Sequence, residues 1–502
     1  MKTVPDLCRR RAELTPDAIA FAELATSRSW TFADVDDHAE RAATLFEAMG
    51  LGEGERVAVL CHNTAIFFEI LFACAKARLI LVPLNWRQTA TELAPILADS
   101  GARLLLADGA TAELAAALAT DQVPLLQFAD YEARRDATAP RTRPGTPWET
   151  DRPWYLLYTS GTTGKPKAVI QTAGMALSNA VNVQQATGAS AADHVLNFLP
   201  LFHTAGINLH SLPVFIAGGT SHIIPKFDAD AVITLVAEAK LSLFFGVPAI
   251  YQAISLHPAF ATTDFSAVRH WGCGGAPLPE SLIRAFLERG VVVCNGMGMT
   301  ETGPTVFFMD RANALAKIGS VGKPQLMAEV RLVDLEDRDV PQGASGEILF
   351  RGPGITPGYF GNPDATAKAF APGGWLRSGD VGRQDEDGYY FIVDRIKDMF
   401  ISGGENVYPA EVEIVLHAHP AVLEAAVLGV ADARWGEVGH AVVMPRPGAT
   451  IDVEALRAYA RERLAAYKVP KHITLVQDFP RTAAGKVQKH VLRAIVADEA
   501  KS

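Results

Sequence analysis

Residues 158–167 have the composition of a segment that binds phosphate. They read Tyr-Thr-Ser-Gly-Thr-Thr-Gly-Lys-Pro-Lys and follow a short apolar run, residues 154–157, that predicts a buried strand. Glycines let backbone N–H groups approach an anion, hydroxyls add donors, and lysines add positive charge. Two residues separate the glycines and a proline follows the first lysine, so the spacing excludes a Walker loop. Taken alone, the segment is also compatible with a surface turn.

Seven further segments follow this loop, and with it they resemble the signatures of the adenylate-forming (ANL) superfamily in their usual order. That superfamily includes acyl-CoA and aryl-CoA synthetases, luciferases and adenylation domains of peptide synthetases. The resemblance covers essentially the whole chain, which looks like bacterial fatty-acyl-CoA ligases and feruloyl-CoA synthetases. The segments are Pro-Leu-Phe-His-Thr-Ala-Gly (200–206), Gly-Gly-Ala-Pro (274–277), Gly-Met-Thr-Glu (298–301), Trp-Leu-Arg-Ser-Gly-Asp (375–380), Asp-Arg-Ile-Lys-Asp-Met (394–399), Ser-Gly-Gly-Glu-Asn-Val-Tyr-Pro (402–409) and Pro-Arg-Thr-Ala-Ala-Gly-Lys (480–486).

Composition restricts the class of protein. A chain of 502 residues is too long for one compact core and predicts two or more domains. The 46 basic and 56 acidic residues give a formal net charge of −10, which argues against nucleic acid as a partner. Five cysteines without a Cys-x-x-Cys pair predict reduced, mostly buried thiols of a cytoplasmic protein, not a disulfide framework or a zinc site.

We expect neither a signal peptide nor a transmembrane segment. The N-terminus lacks an apolar signal core, and charged residues interrupt the longest apolar stretch, residues 66–84, which predicts a packed helix followed by a strand. The sequence leaves the oligomeric state open, with a homo-oligomer as one option.

The order of predicted elements indicates an α/β fold with largely parallel sheets in the N-terminal part. Strands are predicted at residues 56–60, 79–82 and 103–107, with helices after residues 31 and 111. Residues 134–153 are rich in proline, threonine and arginine and predict a surface connection.

The pattern changes after about residue 330, where a β-rich subdomain is predicted with strands at 329–335, 346–350 and 389–393. A small α+β unit follows, with one helix from Pro409 to about His417 and another capped by Asp452. The resemblance implies a hinge at Lys397. The predicted domains are therefore an adenylation domain, residues 1–396, and a C-terminal domain, residues 397–502, that rotates about this hinge.

The resemblance implies a reaction in two steps. A carboxylate is a poor acylating agent, so transfer of AMP from ATP first makes a mixed anhydride and releases pyrophosphate, and the thiol of CoA then displaces AMP. ATP and CoA are the expected co-substrates, and Mg²⁺ is the expected cofactor. The family assigns phosphate binding to Thr159, Ser160, Gly161, Thr162, Thr163, Gly164 and Lys167, of which Thr159 also belongs to the predicted metal site.

Other signatures imply the remaining contacts to the nucleotide. Thr300 would contact the α-phosphate and Glu301 would bind Mg²⁺. Asp380 would accept hydrogen bonds from both ribose hydroxyls, with Arg395 as a second contact or, alternatively, as part of an interdomain salt bridge. The predicted adenine wall and the segment beside it comprise Gly274, Gly275, Ala276, Pro277, Met297, Gly298 and Met299.

One position departs from the family pattern. The family places a tyrosine at the position of Met297, where the ring stacks on adenine. Methionine is polarizable and can pack on a ring, so we expect nucleotide binding to survive with weaker stacking.

The C-terminal segments imply the catalytic lysine and the CoA side of the site. Lys486 would bridge the acid carboxylate and the α-phosphate, where charge concentrates in the transition state. After rotation, the glycine-rich loop would replace the lysine loop and let pantetheine pass close to the backbone. The residues on this side are Ser402, Gly403, Gly404 and Trp435.

The predicted acid pocket is mostly apolar and contains no arginine or lysine, which argues against a diacid such as malonate or succinylbenzoate. Glycines at 272, 274, 296 and 298 suggest space for an acid larger than acetate, with a slight preference for a medium- to long-chain fatty acid over an aryl acid of the hydroxycinnamic type. The residues are Phe202, His203, Thr204, Asn208, Gly246, Val247, Gly272, Cys273 and Asn295.

Two other functions are compatible with parts of this pattern. A stand-alone adenylation enzyme could load a carrier protein, although only 16 residues follow Lys486 and no carrier domain lies among them. A non-catalytic module that binds AMP or acyl-AMP is the more remote alternative, since such a module would be expected to lose Glu301 or Lys486.

Overall fold

The computed structural model describes residues 2–141, 146–159, 166–334, 336–396, 398–403, 405–432, 434–481 and 487–499. Its helices in these ranges are α1 Leu7–Leu14, α2 Phe32–Ala48, α3 Ala65–Ala77, α4 Ala90–Ser100, α5 Ala112–Leu118, α6 Phe128–Ala137, α7 Ala173–Thr187, α8 Ser211–Ala217, α9 Ala229–Ala237, α10 Pro248–Ser255, α11 Glu280–Leu287, α12 Pro363–Ala369, α13 Pro409–His417, α14 Val453–Arg461 and α15 Lys489–Glu499. Single turns of 3₁₀ or π helix occur at Gly109–Thr111, Ala205–Leu209, Thr300–Thr302 and Ala466–Lys468.

In the described part of the chain, the strands form five sheets, one of which is the two-stranded pair β1–β8. They are β1 Thr3–Val4, β2 Ile19–Glu23, β3 Arg28–Thr31, β4 Arg56–Leu60, β5 Ile80–Pro83, β6 Ala102–Ala107, β7 Leu125–Gln127, β8 Trp148–Glu149, β9 Pro153–Thr159, β10 Lys167–Thr172, β11 His194–Asn197, β12 Thr220–Ile223, β13 Leu243–Gly246, β14 His270–Cys273, β15 Val293–Met297, β16 Phe307–Phe308, β17 Ser320–Pro324, β18 Glu329–Val333, β19 Ser345–Arg351, β20 Phe370–Ala371, β21 Trp375–Gln384, β22 Tyr390–Arg395, β23 Phe400–Ser402, β24 Glu405–Val407, β25 Val422–Asp432, β26 Gly436–Pro445 and β27 His472–Leu475.

The first large sheet has the order β10-β9-β5-β4-β6-β7 and is parallel except for β10. After Arg56, its central strand β4 is apolar because both faces of the sheet are covered. Val57 and Val59 pack in a cluster with α2 and α3, whereas Ala58 and Leu60 pack in a cluster with α4 and α5. The predicted helix after residue 31 is confirmed, since Thr31 and Asp34 form a capping box at the start of α2.

Two further sheets complete the N-terminal part. One has the order β11-β12-β2-β3, with β3 antiparallel to the rest. The other begins with parallel strands β13, β14 and β15 and continues as antiparallel strands β16-β17-β22-β21-β19-β18. The prediction of an α/β fold with parallel-rich sheets and a β-rich continuation is thus confirmed.

The small α+β unit is also confirmed. Strands β24-β23-β26-β25, with β27 beside β26, form one sheet whose apolar side packs against α13 and α14. Helix α13 begins at Pro409 and ends at His417 as predicted, and the carboxylate of Asp452 caps α14 by accepting backbone hydrogen bonds. The fold is therefore mixed α/β, with a large N-terminal part and a smaller C-terminal part.

Two predictions of local structure were wrong. Residues 134–153 are not simply a connection, because α6 extends to Ala137 and β8 lies within the segment. Helix α6 is held by Arg135, which is buried and forms an ion pair with Glu69 at 2.5 Å. The strand predicted at residues 389–393 also extends further, to Arg395, because Arg395 pairs with Asp380 on a neighbouring strand.

All five cysteines are buried, as expected. Within the described ranges, no helix has the length and apolar character needed to cross a lipid bilayer.

Two buried histidines, His210 and His270, and one half-buried histidine, His222, should make the protein sensitive to acid. Burial lowers the pKa of His210 to about 3 and the pKa values of His222 and His270 to about 4. Below pH 6.5 the unfolded chain therefore binds protons that the folded chain does not, so stability is complete above pH 6.5 and is lost as the pH falls toward 4. Each histidine contributes a slope of up to about 1.4 kcal/mol per pH unit.

We expect the temperature of half-unfolding to fall between pH 6.5 and 4.5, and to fall less steeply in His210→Leu. His472→Leu, which removes an exposed imidazole, is the control and should follow the wild-type slope. Equal slopes in all three proteins would contradict the assignment to buried histidine.

Candidate functional site

The loop predicted to bind phosphate is closed by a hairpin. Strand β9 pairs with β10 in antiparallel register, and Thr159 lies opposite Lys167. This pairing fixes both ends of the loop. The predicted phosphate ligands Ser160, Gly161, Thr162, Thr163 and Gly164 lie outside the described residues.

Glu301 is a buried carboxylate beside this hairpin. It lies in the turn Thr300–Thr302, and the hydroxyl of Tyr359 donates a hydrogen bond to its Oε1 at 2.9 Å. Burial raises the pKa of Glu301, whereas the Tyr359 hydrogen bond and the charges of Lys167 and Arg395 act in the opposite direction. The charges of Lys167 and Arg395, which come from two other segments predicted to bind nucleotide, therefore act electrostatically on Glu301.

No sequence motif indicates a role for Tyr359. Its ring lies 4.9 Å from the Nζ of Lys167, so it contacts both a predicted phosphate ligand and the predicted metal ligand. The residue stands in a proline- and glycine-containing stretch with no pattern that marks it.

A network of buried side chains positions the Thr300 turn. The amide of Gln171 on β10 donates to the carbonyl of Thr300 at 2.8 Å. The Nδ2 of Asn208 donates to Thr204 at 3.1 Å and to Gln171 Oε1 at 3.5 Å, while the hydroxyl of Tyr155 on β9 donates to Asn208 Oδ1 at 2.7 Å. Asn208 and Thr204, predicted to line the acid pocket, thus also connect the hairpin to the turn.

The predicted adenine wall lies at the edge of the sheet that begins with β13, β14 and β15. Strands β14 and β15 are parallel, so the segments that follow them emerge at the same edge. Gly275, Ala276 and Pro277 are exposed there, and Gly274 is buried. Met297 is half-buried and packs against the cluster that contains Phe307 and Tyr390, as does Met299.

Gly298 lies against a neighbouring carbonyl. A Cβ atom built at this position would be 1.4 Å from the oxygen of Pro304, which is part of the backbone. No rotation of a side chain can relieve such an overlap, so any other residue must displace the segment that leads to Thr300.

Asp380 and Arg395 form one unit. Asp380 is buried on β21, Arg395 lies opposite it on β22, and the Nε–Oδ1 distance is 3.0 Å. The ion pair therefore joins two neighbouring strands of one sheet.

The predicted acid pocket is crowded. Phe245 lies over Gly272 and Gly274, where added Cβ atoms would be 2.8 Å and 3.0 Å from its ring, so these glycines do not leave the empty space that was expected. A cavity of about 10 Å³ remains beside Phe245 and His210. The apolar residues at this face include Val183, Leu209 and Phe308.

Two other residues predicted to line the pocket, Phe202 and Cys273, are buried in different surroundings. Phe202 is buried, and its ring centroid lies 4.8 Å from that of the His203 ring, with the two ring planes tilted by 51°. The thiol of Cys273 packs in the cluster with Trp271 on the opposite face of β14, so only its backbone borders the face of Gly272.

The remaining pocket residues lie in, or directly after, the neighbouring strands β13 and β15. An added Cβ on Gly246 would contact Ile250 at 3.0 Å, and Val247 precedes α10. Asn295 donates to the carbonyl of Ser320 at 3.5 Å.

On the predicted CoA side, two of the expected groups are in contact. The backbone N–H of Gly403 donates to the carbonyl of Trp435 at 2.9 Å, and the Trp435 ring would be 2.9 Å from a Cβ on Gly403. Ser402 is buried and Trp435 is exposed. Three predicted residues, Lys397, Gly404 and Lys486, lie outside the described residues.

Replacing Gly298 by alanine should disable the site. The overlap with Pro304 forces a backbone shift of the order of 1 Å, and such a shift typically costs about 100-fold in rate. We expect this loss in ATP–pyrophosphate exchange, with a folded protein by thermal unfolding. Gly109→Ala is the matched control, because a Cβ there meets nothing within 4 Å. An unchanged exchange rate in Gly298→Ala would show that the close approach is not required.

Family models match most of the chain. The family described as AMP-binding enzyme matches residues 8–360, and the family described as AMP-binding enzyme C-terminal domain matches residues 411–486.

Relatives of known activity match over almost their full length. A feruloyl-CoA synthase from Amycolatopsis is 43% identical over 484 residues, which cover 96% of this chain and 97% of that protein. An indoleacetate–CoA ligase from Aromatoleum aromaticum is 38% identical over 504 residues, covering 97% of each. A long-chain-fatty-acid–CoA ligase from Mycobacterium tuberculosis is 34% identical over 502 residues, covering 98% of each.

Solved structures agree with these matches. ATP-bound MatB from Rhodopseudomonas palustris superposes with a TM-score of 0.90 at 30% identity, covering 99% of both chains. An o-succinylbenzoate CoA synthetase from Bacillus subtilis, in complex with its acyl-adenylate intermediate, superposes with a TM-score of 0.88 at 30% identity, covering 98% of this chain and 99% of that one. The chain therefore belongs to the AMP-binding enzyme family, within the adenylate-forming superfamily that its motifs resemble.

Proposed function

We propose that the chain, an ATP-dependent acid–CoA ligase that works through an acyl-adenylate, acts on an aromatic carboxylic acid. The observation that carries the assignment of roles is the position of Glu301, which accepts a hydrogen bond from Tyr359 and lies within reach of the charges of Lys167 and Arg395, from two distant segments. The relatives described above support the class of reaction.

Residues around the hairpin would hold the phosphates of ATP. Thr159 and Lys167 stand at the ends of the loop, where a hydroxyl and an ammonium group would face the β- and γ-phosphates. Thr300 would contact the α-phosphate. The pairing of charge at this position stabilises the transition state in which the carboxylate oxygen attacks phosphorus and pyrophosphate leaves.

Glu301 fits a Mg²⁺ ligand. Magnesium takes carboxylate and phosphate oxygens, and burial of Glu301 raises its pKa, a cost that a bound cation would offset. When bound, the ion would neutralise charge on the phosphates. Tyr359 would orient the carboxylate through the hydrogen bond to Oε1.

The nucleoside would lie along the edge of the sheet that begins with β13, β14 and β15. Asp380 would accept hydrogen bonds from the ribose hydroxyls, and Arg395 would hold this carboxylate in place. Residues 274–277 would form one wall for adenine. Met297 would contribute a soft apolar contact in place of an aromatic ring, which is compatible with its half-buried position.

We place the boundary between the domains at residues 396 and 397. Strands up to Arg395 belong to the N-terminal sheets, and strands from Phe400 onward belong to the C-terminal sheet. Rotation about Lys397 would exchange Lys486 for the loop of Ser402, Gly403 and Gly404, beside which Trp435 would border pantetheine. The cytoplasmic location and the homo-oligomer stay predictions.

An aromatic acid fits the described pocket better than an alkyl chain. His210 and His270 face a region otherwise lined by rings and small apolar groups, and a polar wall is unfavourable for an alkyl tail. The feruloyl-CoA synthase and the indoleacetate–CoA ligase also act on aromatic acids, as their names state. The slight preference for a fatty acid drawn from the sequence therefore gives way to an aryl acid.

Pyrophosphate release with Mg-ATP tests this function across acetate, octanoate, palmitate, benzoate, cinnamate and ferulate, each with and without CoA. We expect release with cinnamate or ferulate that CoA accelerates. Lys486→Ala should lower acyl-AMP formation by at least about 100-fold, as expected for the loss of one charge-stabilising group, and spare thioester formation from supplied acyl-AMP.

Other outcomes discriminate between the alternatives. Release that CoA does not accelerate would favour an enzyme that loads a carrier protein, and release only with alkyl acids would contradict the aromatic class. No release with any acid would favour the non-catalytic module, and equal loss of both half-reactions in Lys486→Ala would contradict the role of the lysine.

Replacing Tyr359 by phenylalanine should raise the Mg²⁺ concentration needed for half-maximal activity. The change removes one hydrogen bond to Glu301, which corresponds to about a fivefold effect, while the ring that contacts Lys167 remains. Tyr389→Phe is the control, because it removes a similar hydroxyl–carboxylate bond, to Asp310, elsewhere. The same Mg²⁺ dependence in both variants would argue against a metal role for Glu301.

A further inference from the structure

The ring of His270 carries an unsatisfied nitrogen inside the protein. The residue is 8% exposed, and its Nε2 has no hydrogen-bond partner among the described residues. Buried polar atoms are almost always paired, so an orphan of this kind requires an explanation. The position of His270 in the fold suggests an explanation. It is the first residue of β14, and the predicted adenine wall directly follows the last residue of that strand.

The unpaired nitrogen faces the acid pocket. Side chains alternate along β14, so His270 shares a face with Gly272 and Gly274, and the Nε2 would be 3.5 Å from a Cβ on Gly272. On that face Phe245 lies over both glycines, and the ring of Phe308 lies 6.2 Å from that of His270.

The imidazole is suited to pair with a neutral hydroxyl. Burial, assisted by the charges of Arg269 and Arg311, lowers its pKa to about 4, so the ring is neutral at pH 7. A neutral imidazole offers one N–H donor and one acceptor nitrogen, and a hydroxyl can pair with either.

The depth of the pocket matches an aromatic acid. Parallel strands rise about 3.3 Å per residue, so the level of Gly272 lies roughly 7 Å below that of Gly274 at the nucleotide edge. A hydroxycinnamic acid measures roughly 8 Å from its carboxyl carbon to its phenol oxygen, given ordinary bond lengths of about 1.2–1.5 Å. An acid whose carboxylate meets the nucleotide would therefore bring a distal hydroxyl to the Nε2.

We infer that His270 is the residue that recognises a hydroxyl at the end of the acid remote from the carboxylate, which makes the substrate a hydroxylated aryl acid. This inference rests on the proposed function. The cavity between His210 and Phe245 holds only about 10 Å³, so the Phe245 ring turns aside when the acid enters and then packs against it.

The test compares three acids of matched shape: cinnamate, 4-methylcinnamate and 4-hydroxycinnamate. For the wild-type enzyme we expect kcat/KM for the hydroxylated acid to exceed that for the methyl analogue by at least about 10-fold, because the analogue leaves the Nε2 unpaired. This measurement needs no variant and so does not depend on the folding of one.

The variants assign the discrimination to His270. In His270→Leu the ratio should fall toward one, through loss of activity with 4-hydroxycinnamate alone, while cinnamate turnover reports an intact site. His270→Gln, which keeps a donor and an acceptor, should restore part of the ratio. His194→Leu, which removes an exposed imidazole, should leave it unchanged.

Failure of the inference is distinguishable from failure of the proposed function. Turnover of all three acids without preference for the hydroxyl would overturn the role of His270 and leave the aryl-CoA ligase in place. Equal loss of all three activities in both His270 variants would also overturn it. Turnover of alkyl acids alone would overturn both.

Discussion

The candidate site depends on hydrogen bonds between buried side-chain amides that come from distant parts of the chain. Asn208 accepts from Tyr155 and donates toward Gln171, and Gln171 in turn holds the carbonyl of Thr300. Each of these groups is buried or partly buried, so a missing partner would leave an unpaired polar atom at a cost of about 1–3 kcal/mol. These side chains therefore have few other hydrogen-bonded arrangements. Their network links the β9–β10 hairpin, the predicted acid pocket and the turn of Glu301 into one rigid frame.

Close backbone contact adds a second restriction to this frame. The segment of Gly298 touches the carbonyl of Pro304, and the loop that results presents Thr300 and Glu301 to the hairpin. Hydrogen bonds set the direction of the Thr300 turn. The absence of a side chain at Gly298 sets how closely the segment before this turn approaches the backbone of Pro304. Since phosphoryl transfer is catalysed mostly by position and charge, such rigidity would itself contribute to the proposed adenylation step.

Much of this could be predicted from the sequence, since local signals carry it. The capping box at Thr31, the helix that begins at Pro409 and the strand before the phosphate loop all follow from short patterns and are confirmed. The motifs also indicated which segments meet. Tyr359 was missed, and the space over Gly272 was misjudged, because both depend on residues far away in the sequence. The strand that ends at Arg395 was also predicted too short, since its pairing with Asp380 overrides a polar local composition.

The geometry of parallel strands explains how one element can serve both substrates. The carboxyl end of β14 reaches the nucleotide edge, and each second residue back along the strand, Gly272 and then His270, faces the pocket at a greater depth. In the proposed function, the side chains at these positions would determine the length and polarity of the acid, while the residues beyond the end of the strand would contact the nucleotide. Within a family that shares its nucleotide chemistry, the choice of acid can then change through a few alternate residues of one strand, without disturbing the amide frame that holds the catalytic turn.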